Sequence, residues 1–191
     1  MQSSTRDILQ RRARVYAEIR AFLSERAVLE VETPILNSSS TPDPQIESLR
    51  CGNPVKTPLE LGFLHTSPEF GMKRLVAAGA GSIYQICKVF RAEEHGRWHR
   101  AEFSMLEWYR VGMGYQELMA EMEALITRLS PPGAVAPFRR LTYRQLFETY
   151  TGVNPHWVPV PDLQRLVADN QIVTQNEITD RDSLLHLLLS H

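Results

Sequence analysis

Near the N-terminus Ile8, Val15, Ile19, Phe22 and Leu23 recur at roughly helical spacing among arginines. That period predicts an amphipathic helix from Thr5 to Arg26 lying on a sheet. "VLEVETPIL" follows at 28–36 and alternates until Pro34, which predicts a short strand ending where the proline cannot donate to a ladder. Residues 37–60 are rich in Ser, Pro, Asn and Gly, which predicts a long loop with one short strand near Ile46 to Leu49. "SPE" at 67–69 opens a further helix, with Ser67 as its N-cap and Pro68 at the first helical position, closed by Gly79 or Gly81.

Strands are expected over Ile83 to Val89 and Glu102 to Arg110. Leu118, Met119, Met122, Leu125, Ile126 and Leu129 then mark one face of a helix from Tyr115 to Ser130, ended by "SPPG". Shorter helices are expected from Thr142 to Tyr150 and from Asp162 to Asp169, capped by Thr142 and Asp162. The terminal "DRDSLLHLLLSH" is apolar almost without break, and a helix so hydrophobic needs a partner surface.

The two central strands carry an unusual load of charge. Side chains alternate across a strand, so Phe103, Met105, Glu107 and Tyr109 share one face, and Ser104, Leu106 and Trp108 share the other, apolar one. On the preceding strand Gln85, Cys87, Val89, Arg91 and Glu93 alternate together. Pairing would bring Arg91, Glu93, Phe103, Glu107 and Tyr109 to a common surface. One reading is the wet side of an antiparallel sheet. The other is a partly apolar pocket for a flat ring and charged ligand groups, because aromatic residues interleave with the charges.

Composition narrows the class without choosing between these readings. The chain has 191 residues, 43% hydrophobic and 23% charged, as in ordinary globular proteins, and length favours one domain or one plus an appendage. A formal net charge of -1 provides no general pull toward nucleic acid, so a bound anion must be met locally. Cys51 and Cys87 form no CxxC pair, which argues against a zinc site or disulfide framework and fits a reducing cytoplasm. No apolar run reaches the length of a membrane span.

"FLSERAVLEVETPIL" resembles motif 1, and "YQICKVFRAEEHGRWH" with "EFSMLEWY" resembles motif 2, of class II aminoacyl-tRNA synthetases. Together with "TSPEFGMKRLVAAG", these segments most resemble the lysyl-tRNA synthetase-like paralogues that lysylate elongation factor P, the elongation factor P lysine ligase family. The resemblance implies an α+β fold, an antiparallel sheet flanked by helices. Motif 1 falls at about 22–36 and motif 2 at about 83–110. It also implies ATP and Mg²⁺, lysine or β-lysine, elongation factor P as acceptor, and a homodimer formed through motif 1. No anticodon-binding module precedes motif 1, so tRNA is not an expected partner. The rival readings are a catalytic-domain fragment of a lysyl-tRNA synthetase and a non-catalytic binding or dimerisation module.

By resemblance, Arg91 holds the ATP α-phosphate and the substrate carboxylate, Glu93 accepts from the adenine amino group, Phe103 stacks on adenine and His99 reaches the terminal phosphates. Ser67, Pro68 and Glu69 meet the substrate amino group, and Glu107 and Tyr109 line the lysine pocket. The plainer readings are a helix cap for Ser67 and Glu69, and a solvated or arginine-paired carboxylate for Glu107. Ala92 stands where the family has Asn, which leaves a backbone role for ATP binding. Arg100 replaces an amide side chain that meets ATP, and Ala101 replaces a proline.

Motif 3, a glycine-rich strand and helix ending in an ATP-binding arginine, is absent from the sequence, as are the acidic residues before it that hold magnesium. Residues 1–191 are therefore expected to be a partial catalytic domain, incomplete at the C-terminus, with no metal ligands of its own. The expected outcome is little or no lysine-dependent ATP–pyrophosphate exchange by the 191-residue chain alone, and robust exchange would show that the site is complete.

Overall fold

The computed structural model describes residues 4–43, 46–52, 62–92, 96, 97, 99–172 and 178–191. They form two compact units, Met1–Val135 and Ala136–His191.

The first unit begins with helix α1 (Thr5–Ser24), where Ser4 and Asp7 close a reciprocal capping box at 3.2 and 3.1 Å. Strand β1 (Leu29–Glu30) follows. The strand expected over 28–36 is cut short: Val31 still donates to the Tyr84 carbonyl, but at Thr33 a side-chain hydrogen bond to Gln85 takes over just before Pro34. Next come β2 (Leu36–Asn37), β3 (Arg50–Cys51), β4 (Gly62–Leu64), α2 (Glu69–Ala77), β5 (Ile83–Phe90), β6 (Glu102–Tyr109) and α3 (Tyr115–Leu129). The strand anticipated at Ile46 to Leu49 lies slightly later, at Arg50–Cys51, paired antiparallel to β4.

Among the described residues the main sheet has the order β1-β5-β6 and is mixed: β1 runs parallel to β5, and β6 antiparallel to it. The β5–β6 ladder runs without slip from Ile83↔Tyr109 to Phe90↔Glu102. A second small sheet, β2-β4-β3, is joined to the first through His65. Its N–H donates to the Ile35 carbonyl at 2.9 Å, its carbonyl accepts from Phe90 N–H at 3.0 Å, and its ring Nε2 meets the Lys88 carbonyl at 2.7 Å.

One face of the main sheet is buried by α1 and α3. Ile19, Phe22, Leu23, Val28, Tyr84 and Leu125 form this core, with Ile86, Leu106, Trp108 and Leu129 packed against it. Both covering helices use only part of their apolar stripe: Ile8 and Val15 of α1, and Leu118, Met119 and Met122 of α3, are exposed. The core holds one buried ion pair. Arg110 meets Glu121 at 3.3 Å, with side chains 13% and 5% exposed. Glu121 also accepts from the Trp108 indole at 3.1 Å, and Arg110 donates to the Arg26 carbonyl at 3.1 Å. These bonds tie β6 to α3 and to the turn after α1.

The start of α2 differs by one residue from expectation. Pro68, fully buried, occupies the N-cap, and Ser67 Oγ accepts from Glu69 N–H at 3.4 Å. Gly79 and Gly81 take positive φ just beyond the helix, as a helix-ending glycine should.

The second unit holds α4 (Tyr143–Thr151), α5 (Val160–Asp169) and α6 (Arg181–Ser190). Thr142 caps α4 as anticipated. Asp162 does not cap α5: the helix starts two residues earlier, behind Pro159, because Pro161 suits its first turn and Asp162 then falls inside that turn. Asp180 caps α6. The partner surface that the terminal helix requires lies within this unit, where Leu184 and Leu185 pack with Phe147, Val158 and Leu163.

Glu121→Leu should cost about 3 kcal/mol in urea unfolding of this chain, because it strands the Arg110 guanidinium without its partner in a buried setting. A loss within a few tenths of that of an exposed control on the same helix such as Gln116→Leu would show that the pair is immaterial.

Candidate active site

The opposite face of the β5–β6 ladder carries the ionisable residues. Register sets Gln85 across from Glu107, Cys87 across from Met105 and Val89 across from Phe103, so all six side chains lie on one side of the sheet. Arg91 continues this row beyond the end of β5. Its N–H donates to the Ala101 carbonyl at 2.9 Å, its Nε donates to the Thr66 carbonyl at 3.4 Å, and its guanidinium carbon sits 5.2 Å from the centre of the Phe103 ring. A planar cation over an aromatic face is held in orientation as well as in place. Arg91 and Phe103 are therefore brought together beside the Thr66–Ser67 backbone.

Glu107 and Tyr109 form the second group. The Tyr109 hydroxyl donates to Glu107 Oε1 at 2.7 Å. Burial pushes the Glu107 carboxyl above the usual carboxylate range; the bond from Tyr109 acts against this, and the nearby Glu69 carboxylate adds to it. The Tyr109 phenol is likewise raised, first by burial and then by its bond to Glu107. Lys73 and His65 act in the opposite, lowering direction on Glu107. Glu69 stands in the first turn of α2 and is paired with Lys73 one turn later. The Glu69 charge thus adds to that of the partly buried Glu107 carboxyl, which favours a cationic guest. Cys87, on the same face, is held as a neutral thiol, pushed up to about 11 by burial.

The remaining expected site residues are spread along the loops. Ala92 N–H donates to the Glu47 carbonyl at 2.9 Å, a backbone tie. His99 and Arg100 are exposed, and the His99 carbonyl accepts from Gly96 N–H at 3.3 Å. Glu93 lies outside the described residues. Ser67 and Thr66 also border a cavity of about 310 Å³ with Thr33, Ser39, Phe70 and Arg74, whose lining does not include Arg91, Phe103 or Glu107. Among the described residues, no three His, Cys, Asp or Glu side chains converge as a metal site. The described residues therefore do not form a Mg²⁺ coordination set.

Thr66, Thr33 and Lys73 carry no signal of their own in the sequence, because each enters the site through a neighbour distant in the chain. Elsewhere in the hairpin, Lys88 pairs with Glu102 at 3.0 Å across the ladder, and Arg110 with Glu121 in the core.

A mixed sheet flanked by helices, with a half-buried arginine, an aromatic ring and a carboxyl on its open face, is the arrangement of a class II synthetase catalytic fold. The chain belongs to that family: the family model "tRNA synthetases class II (D, K and N)" matches residues 1–179. Curated relatives include the elongation factor P–(R)-β-lysine ligase of Pseudoalteromonas translucida (strain TAC 125), 44% identical over 185 residues, covering 94% of this chain and 56% of the relative. The protein of the same description from Vibrio cholerae is 41% identical over 187 residues (95% and 56%), and that from Histophilus somni strain 2336 is 37% identical over 182 residues (94% and 55%). The chain thus spans little more than half the length of the relatives it matches.

Because burial raises the Glu107 carboxyl, the folded state holds its proton to higher pH than the unfolded chain does, so stability falls as pH climbs from the ordinary glutamate range through the raised value. Glu107→Gln should therefore raise Tm at neutral pH, and the gain should vanish in acid, below the unfolded glutamate range. Thermal melts across that window check the sign, and a gain independent of pH would contradict it.

Proposed function

We propose that this chain supplies the nucleotide- and amino-acid-recognition part of an ATP-dependent ligase, which activates lysine or β-lysine as an aminoacyl-adenylate and passes it to a lysine of elongation factor P. Similarity to the elongation factor P–(R)-β-lysine ligases supports the reaction class. The observation that carries the reading for this chain is the placement of Arg91 and Phe103 on the same sheet face as Glu107 and Tyr109.

In the first step a carboxylate oxygen of the amino acid attacks the α-phosphorus of ATP and pyrophosphate leaves. Arg91 binds the α-phosphate and the attacking carboxylate, and stabilises the negative charge that accumulates between them. Phe103 offers its ring to adenine, and Glu93 accepts from the adenine amino group. The Ala92 backbone tie supports the start of the motif 2 loop, from which His99 and Arg100 reach the phosphates. Ser67, Pro68 and Glu69 receive one substrate ammonium, and Glu107 with Tyr109 the other. In the second step an uncharged lysine amine of the acceptor attacks the acyl carbon, AMP leaves, and the amine loses its proton. Mg²⁺ is assigned no ligand among the described residues; when bound it would neutralise charge on the nucleotide phosphates.

Residues 1–191 act as part of a catalytic domain in this reading, and the protein works in the cytoplasm. Among the described residues no helix is long and apolar enough to cross a membrane. Two copies associate through the motif 1 unit, a reading supported by exposed Ile8, Leu9, Val15, Leu29, Ile35 and Leu36.

Arg91→Ala in the full-length protein should lower lysine-dependent ATP–pyrophosphate exchange on the order of a hundredfold or more, the scale of losing one preorganised charge-stabilising group. Retained exchange would remove Arg91 from the chemistry. In parallel, radiolabelled lysine offered with elongation factor P or with tRNA distinguishes the acceptors, and label on tRNA alone would overturn the assignment.

A further inference from the structure

The first turn of α2 lies unusually close to Thr33, in the segment between β1 and β2. A Cβ on Gly71 would stand 2.8 Å from Thr33 Cβ and 2.9 Å from its Cγ2, closer than packed carbon atoms approach. Gly71 is not among the residues with positive φ, so a dihedral requirement does not explain a glycine inside a helix, where alanine is ordinarily preferred. The space does. Thr33 in turn is held from below: its hydroxyl donates to Gln85 Oε1 at 3.0 Å. Gln85 is only 2% exposed, its side chain also bonds the Cys87 thiol, and it sits directly across the ladder from Glu107. The stack runs from helix to sheet as Gly71, Thr33, Gln85.

At its two ends are the carboxylates of the proposed substrate site. Glu69 lies two residues before Gly71 on the same helical turn, and Glu107 lies beside Gln85 on β6. The Glu69 charge is felt at both Glu107 and Tyr109. The height at which α2 rides above the sheet is therefore also the gap between the two anionic groups.

We propose that Gly71, Thr33 and Gln85 form a spacer that sets the separation of the Glu69 and Glu107 carboxylates, and with it the chain length of the diamino acid that the site accepts. This rests on the proposed function for the identity of the guest, but not for the spacer itself. None of the three touches the reacting atoms; they are positioning residues that act through Glu69 and Glu107. A methyl group at position 71 lifts α2 and widens the gap, which favours a guest one methylene longer than lysine.

The spacer is tested on the 191-residue chain by carboxyl NMR titration of Glu107, whose neighbours by charge are Glu69, Lys73, His65 and the Tyr109 hydroxyl. Glu69→Gln and Gly71→Ala should each lower the Glu107 midpoint, and the two together no further than Glu69→Gln alone. An unmoved midpoint in Glu69→Gln, or a Gly71→Ala shift that persists without Glu69, overturns the spacer. If Gly71→Ala does not fold, Thr33→Ser removes the methyl beneath Gly71 while keeping the hydroxyl on Gln85. It should then raise the midpoint as α2 settles inward, and no rise overturns the spacer.

In the full-length protein Gly71→Ala should raise the homolysine-to-lysine ratio of kcat/KM by about tenfold, the discrimination that one methylene carries, with the KM for ATP unchanged. An unchanged ratio in an enzyme that activates lysine overturns the spacer alone. A wild-type enzyme that does not activate lysine overturns the proposed function, and the titration then decides the spacer by itself.

Discussion

The antiparallel ladder between β5 and β6 is the constraint on which the first unit depends. It puts Tyr84, Ile86, Leu106 and Trp108 under the helices, and Gln85, Cys87, Phe103, Met105 and Glu107 on the reverse. A slip of one residue would exchange the two faces, exposing the apolar set and driving Glu107 into the core. The buried Arg110–Glu121 pair guards against this, since a shifted β6 would part it from the Trp108 indole bond and the Arg26 carbonyl together. Lys88 and Glu102 add a weaker, solvent-screened tie at the far end of the ladder.

The charge density of this hairpin thus has two origins. Arg110, Lys88 and Glu102 serve the register. Arg91 and Glu107 belong to the other face, and each is partly buried. Arg91 donates to a backbone carbonyl and lies over an aromatic face, and Glu107 accepts from the Tyr109 phenol.

The tertiary links that shape the site run through side chains and backbone atoms remote in sequence. His65 stitches the small sheet to the end of β5, and Thr33 couples the motif 1 segment to Gln85, while Gly71 lets α2 close onto it. This explains why the motif 1 strand is shorter than its alternation predicts: its last polar residue is committed to a side-chain bond before the proline ends the chain's capacity to donate.

Period and residue type by themselves determined the helices from Thr5, Tyr115 and Thr142, the two central strands and the division of β6 into an apolar and a charged face. Each depends on contacts within a few residues or on strict alternation, which a linear pattern records. The sequence also carried the motifs that led to the family. Helix ends were less legible: Pro68 and Pro159, not Ser67 and Asp162, occupy the N-caps, since a proline's fixed φ serves either the cap or the first turn and neighbouring packing chooses. Only the tertiary structure decided that β1 runs parallel to β5, that Arg91 lies over Phe103, that Glu69 and Glu107 share a region, and that the terminal helix finds its partner in Phe147, Val158 and Leu163. Those facts arise from residues brought together by packing, where distance along the chain says nothing about distance in space.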